Sequence, residues 1–119
     1  MRRRRLDHLS AIGCEPAIVR LPFERAYLFD PDGRQVAIID GDESTIRIAL
    51  TARERERMRD GQLVHNHPPR IEFSPADPRY DSASFSDHDF ILAADLDLAQ
   101  IVAVSPAWRH VFMRPAQGW

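Results

Sequence analysis

Leu63-Val64-His65-Asn66-His67-Pro68-Pro69 decides how the chain is read. Leu63 and Val64 open an apolar extended run, and two prolines, which cannot donate to a sheet ladder, end it. In a strand, residues i and i+2 project from one face, so the two imidazoles point the same way. Neutral imidazole nitrogens about 2.0–2.1 Å from one ion are ligands that zinc prefers. Pro68 ends the strand there and is expected to set both histidines at a sheet edge, where a cleft can open. Two alternating surface histidines with no metal fit the same letters, so the pair needs support from elsewhere in the chain.

Downstream, residues 69–85 read as a polar, proline-bearing loop, after which Ser86-Asp87-His88-Asp89 caps a helix carrying Phe90, Ile91, Leu92, Ala93, Ala94 and Leu96. Two strands at 101–104 and 109–113 follow, and residues 115–119 read as a loose tail. Upstream, residues 24–29 and 34–39 flank Asp30-Pro31-Asp32-Gly33, a turn signal that makes them a β-hairpin. Residues 6–12 read as a turn or two of helix and 17–21 as extended. After a turn at Gly41-Asp42-Glu43, residues 44–50 alternate, with Ile46, Ile48 and Leu50 on one strand face. Thr51-Ala52-Arg53-Glu54 is a capping-box pattern opening a short charged helix that stops at Asp60-Gly61. The expected fold is therefore α/β, a single domain of residues 1–119 with a mixed sheet flanked by helices.

Composition sets the outer bounds. The 119 residues suffice for one modest core, and 44% hydrophobic with 29% charged residues is ordinary globular usage. A net charge of -2 gives no overall pull towards nucleic acid or an anionic membrane. All 16 basic residues are arginine, which a GC-rich genome explains. Arg2 to Arg5 read as a solvated basic arm (residues 1–12), because Leu6-Asp7-His8-Leu9-Ser10 lacks the apolar run of an export signal. No stretch reaches the ~20 apolar residues that span a bilayer. With one cysteine, Cys14, no internal disulfide forms; a cytoplasmic location is expected, or delivery as an effector domain. Cys14 itself reads as a small, partly buried hydrophobe.

The second element supports the histidines. Asp89 lies in the first turn of its helix, where a carboxylate can turn outward as a third ligand to the metal. Capping alone explains a Ser-x-x-Asp pair equally well. Ser84 and Asp87 share that spacing, although the apolar helix begins directly after Asp89, and His88 is a rival ligand. Three protein ligands, His65, His67 and Asp89, leave tetrahedral zinc one open position for a water, whose pKa falls towards ~7. Such a water needs a general base within hydrogen-bond reach. Glu24 sits at the start of a hairpin strand, on a rigid element; Glu15, Glu43 and Glu72 sit in turns or loops.

Glu24, then His65-Asn66-His67-Pro68, then Ser86-Asp87-His88-Asp89 resembles the JAB/MPN (JAMM) zinc metalloprotease domain, whose pattern is a glutamate, H-x-H-P and S-x-x-D. The H-N-H-P spelling is similar to the prokaryotic branch with RadC-type proteins and phage and polymorphic-toxin JAB domains. The resemblance runs from about residue 23 to 115, with Gly33 and Gly41 in the places of that branch's hairpin glycines. It implies a curved mixed sheet with helices (a cytidine-deaminase-like arrangement) and one Zn2+ on His65, His67 and Asp89. It further implies Glu24 as the catalytic base, Ser86 holding the water and oxyanion, and cleavage of peptide or isopeptide bonds beside a ubiquitin-like modifier. Residues 69–85 exceed the usual loop between the two motifs.

Two other functions compete. A JAB-fold binding or assembly module without catalysis usually lacks a ligand, whereas here every ligand position is filled. A RadC-like nucleic-acid role would use Arg2 to Arg5 and the helix bearing Arg53, Arg55, Arg57 and Arg59, but Glu54 and Glu56 interleave that helix as in a salt-bridged solvated face. His8, His110 and Trp119 read as surface or packing residues; Trp108 fits packing more readily than a substrate groove.

Overall fold

The computed structural model describes residues 13–68, 72–77 and 85–119, with the backbone alone at Glu43. The basic arm, the expected helix at 6–12, His8 and the rival cap Ser84 lie outside the described residues. Within them the chain is a single-domain α/β fold built on a five-stranded mixed sheet, as expected, in the order β2-β1-β3-β4-β5. The strands are β1 (Arg25–Phe29), β2 (Gln35–Asp40), β3 (Gln62–Asn66), β4 (Gln100–Val104) and β5 (Arg109–Met113). The helices are α1 (Glu15–Ile18), α2 (Glu43–Ala49), α3 (Ala52–Arg57) and α4 (Asp87–Leu96). β3, expected at a sheet edge, is instead the central strand, antiparallel to β1 on one side and parallel to β4 on the other.

The β1–β2 turn closes as its letters suggest. Asp30 Oδ1 accepts the N–H groups of Asp32 (3.0 Å) and Arg34 (2.9 Å), and Gly33 takes the positive φ (83°) that side chains avoid. A bulge between Leu28 and Phe29 shifts the register there.

Two expected elements are different in kind. Residues 44–50 are helix α2, not a strand. Asp42 N-caps it, accepting from Thr45 N–H at 3.1 Å, and Ile46 and Leu50, four apart, share its buried side. Ile48, the third member of the strand-like alternation, is 84% exposed. Residues 17–21 likewise are not extended: α1, with Pro16 in its first turn, buries Ile18 completely. The expected loose tail is pinned at its end. Trp119 Nε1 donates to the Leu98 carbonyl at 2.8 Å, and its ring packs on Phe112 and Phe90.

Strand alternation gives the sheet two buried faces. Ala26, Leu28, Leu63 and Ile101 pack with Ile46, Leu92 and Leu96 under α2 and α4. On the other face, Val64, Val102 and Val104 pack with Ile18 and Cys14. Gly61, entering β3, passes so close to the β1 end that a Cβ there would lie 2.2 Å from the Phe29 carbonyl oxygen and 2.9 Å from that of Met58. Backbone on both sides cannot move aside as a side chain can. Gly61→Ala is therefore expected to lose about 2–3 kcal/mol, read as a lower denaturant midpoint; an unchanged midpoint refutes the close approach.

Candidate metal centre

His65 lies on the sheet face that α4 covers, and Asp89 is in the first turn of α4. That shared face brings together residues far apart in the chain. His65 Nε2 and His67 Nε2 are 2.9 Å apart; His65 Nε2 is 3.2 Å from Asp89 Oδ1, and His67 Nε2 is 3.4 Å from Asp89 Oδ2. His67 follows β3 directly and is held in line by its own N–H, which donates to Val104 C=O at 2.9 Å. Among the described residues this is the group of His, Cys, Asp and Glu side chains able to hold a metal ion, its ligand atoms all within 4.8 Å.

The geometry passes a simple test of fit. Ligands about 2.0–2.1 Å from a tetrahedral ion are separated by about 3.3–3.4 Å; the two histidine–carboxylate separations, one to each Asp89 oxygen, lie near that value, and the two imidazole nitrogens stand closer than it. Asp89 is 3% exposed, His65 5% and His67 9%. A carboxylate buried this deeply needs a positive partner. Burial pushes the Asp89 carboxyl up, but hydrogen bonds from His65 and His67, the charge of His65 and the Ser86 N–H outweigh it and hold Asp89 well below the usual carboxylate range. His65 Nδ1 is buried without a hydrogen-bond partner among the described residues. Packing, together with whatever Nε2 faces, therefore orients that ring.

Ser86 and Asp89 form a full capping box: Asp89 N–H donates to Ser86 Oγ (3.2 Å) and Ser86 N–H donates to Asp89 Oδ2 (2.9 Å). Capping and ligation are thus not alternatives here, because the two carboxylate oxygens serve both. His88, the rival ligand, points to solvent and stands outside the cluster.

Glu24 lies immediately before β1, and its C=O accepts the Gly41 N–H at 2.9 Å. Together with His65 and Asp89 it lines a gap of about 10 Å³, further walled by Gly41, Leu63 and Leu92. A gap of that size is on the scale of one water molecule. Ala26, opposite His65 in the β1–β3 register, contributes only a methyl group there. Glu72 is on the loop and Glu15 pairs with Arg109 at 2.6 Å, so neither shares this gap.

No family model matches the chain, no curated protein matches it, and no solved structure matches it. The site is therefore read from its own atoms.

A groove of about 300 Å³ is lined by Pro16, Val19, Val104, Ser105, Trp108 and the Glu15–Arg109 pair, with none of His65, His67 and Asp89 in its wall. Trp108, expected mainly as packing, forms its wall and meets the His67 ring edge-on at 6.0 Å. Arg55 and Arg57 pair outside their own helix, with Asp95 (2.7 Å) and Asp30 (3.3 Å), and not at the i,i+4 spacing expected with Glu54 and Glu56. Among the described residues no helix is long and apolar enough to cross a membrane.

Cys14 is more deeply buried than expected, at 8% exposed. Burial first, and the Glu15 charge second, push its thiol up to about 12 from the ordinary 9.0. A thiol with a raised folded-state pKa stabilises the fold fully below the unfolded pKa and loses that contribution as pH rises towards 12. Stability is thus expected to fall between pH 9 and 10.5 by on the order of 2 kcal/mol, and Cys14→Ala to remove most of that slope in urea titrations. A parent and variant with parallel profiles would exclude the assignment. The same burial makes Cys14 inert to alkylation at pH 8.

Proposed function

We propose that the chain is a zinc-dependent amide hydrolase, a peptidase or isopeptidase of JAB/MPN (JAMM) type acting on a protein or peptide. The observation that carries this reading is the water-sized gap that Glu24 shares with His65 and Asp89. A buried two-histidine, one-carboxylate set is the donor set of a catalytic rather than a closed zinc site. Bound there, zinc supplies a Lewis acid that polarises the scissile carbonyl and acidifies a water.

The chain's residues then divide the work. Glu24 accepts the water's proton as the oxygen attacks the carbonyl carbon. It delivers that proton to the amide nitrogen, the C–N bond breaks, and a carboxylic acid and an amine leave. Ser86 Oγ already accepts the Asp89 N–H, so its own hydroxyl proton is directed elsewhere. We assign that proton to the carbonyl oxygen as negative charge gathers there. Trp108, which meets the His67 ring, links the centre to the groove it walls, and that groove receives the extended tail of a substrate such as a ubiquitin-like modifier.

The test is cleavage of a panel of ubiquitin-like fusions and isopeptide-linked conjugates by the zinc-loaded protein. Activity should vanish with a chelator and return with zinc. A fully zinc-loaded protein that cuts nothing in the panel, while binding its members, would instead favour an assembly module. Ser86→Ala should slow cleavage about 10²-fold and, through the lost cap, cost roughly 1 kcal/mol of stability. Unchanged turnover would remove Ser86 from the mechanism.

A further inference from the structure

Asn66, between the two metal-facing histidines, faces the opposite side of the sheet. Alternation sends its side chain into the apolar layer of Val64, Val102 and Val104, where it is 0% exposed. A primary amide buried among valines must find partners. Asn66 Oδ1 accepts the Arg25 N–H at 2.7 Å, and Nδ2 donates to the Phe23 C=O at 2.8 Å, with a longer contact to Leu21 C=O at 3.5 Å. Phe23 C=O belongs to the peptide unit entering Glu24, and Arg25 N–H to the unit leaving it. Glu24 C=O, in that second unit, is held from its other side by Gly41 N–H. Glu24 is therefore gripped at both of its peptide bonds before β1 begins.

We infer that Asn66 is a positioning residue: it sets the Glu24 carboxylate against the metal centre by fixing the two peptide units that flank it. The inference rests on the reading of Glu24 as the base. It ties two functions to one tripeptide, since His65 and His67 hold the ion from one face while Asn66 registers the base from the other. The relative placement of base and ion then depends on a single strand and not on the loops between them. A misplacement of about 1 Å can cost on the order of 10²-fold in rate.

The test compares Asn66→Ala, Glu24→Gln and the double variant, each loaded with zinc for turnover and with cobalt for visible absorption. Asn66→Ala is expected to keep about one metal per chain, to lower kcat on the order of 10²-fold with KM little changed, and to add no further loss in the Glu24→Gln background. The cobalt bands of Asn66→Ala should shift their pH midpoint in the direction that Glu24→Gln shifts it. Asn66→Asp keeps the size and the acceptor for Arg25 N–H, and serves if Asn66→Ala does not fold. Loss of metal together with activity would assign Asn66 to mere support of the histidines and overturn the inference. An additive loss in the double variant, or a parent-like cobalt profile in folded Asn66→Ala, would overturn it as well. Should the parent cut no amide substrate, the hydrolase reading fails while the cobalt midpoints still decide whether Asn66 acts through Glu24.

Discussion

The purified chain is expected to bind about one zinc ion and to melt at a clearly higher temperature with it than after chelation. At free zinc about 1,000-fold above the dissociation constant, the folded state gains about 4 kcal/mol, on the order of 10–20 °C for a domain of this size. The reason is the buried set of Asp89 with two imidazoles at 2.9–3.4 Å, which calls for a cation. A proton on one histidine is the competing cation, so pH separates the two cases. Asp89 stays ionised throughout the neutral and mildly acidic range, since its carboxyl is held low. Imidazoles ligate only when neutral, so protons compete with the ion for the ring nitrogens and metal affinity should drop as pH falls. His65→Ala and His67→Ala should each abolish the shift in melting temperature. Asp89→Asn keeps an acceptor for the Ser86 N–H, so any loss of metal in that variant comes from the missing charge and not from the helix cap. Calorimetry showing no zinc uptake at pH 7.5, with melting unmoved by chelator, would sink the metal centre and the hydrolase with it.

Glu24→Gln is expected to abolish cleavage, by 10²- to 10⁴-fold as is usual for a lost general base, while zinc content stays at the parent value. Glutamine preserves shape, and the Gly41 N–H bond is made to the backbone of residue 24, so the local fold is kept. This dissociation of metal from activity distinguishes a base from a ligand. A variant as active as the parent assigns the proton transfer to another group. Glu15 and Glu72 stand outside the gap, so neither is the next choice.

Much of this was legible in the chain itself, for local reasons. His65 and His67 share a face because strands alternate, and Ser86 with Asp89 spells a capping box whatever else it does. The Asp30-Pro31-Asp32-Gly33 turn and the Thr51/Glu54 box also formed as read. The missed helix at 43–49 shows where pattern misleads. Ile46, Ile48 and Leu50 satisfy period two, while Ile46 and Leu50 alone satisfy period four, and only Asp42 as a cap tips the balance. The tail was misjudged because Trp119 owes its place to Leu98, a partner that becomes adjacent only on folding. Asn66 carries a clue of its own: a primary amide that alternation sends into a buried layer of a central strand must be satisfied from outside that strand.

One oxygen atom, Asp89 Oδ2, both receives the Ser86 amide and faces His67. The first turn of α4 and the centre thus compete for, or share, the same lone pairs. The Ser86 backbone amide becomes a built-in reporter: its proton resonance and solvent-exchange rate should change when an ion draws on Asp89, without any label attached to the chain. Occupancy is then followed spectroscopically through this one amide, with no substrate added.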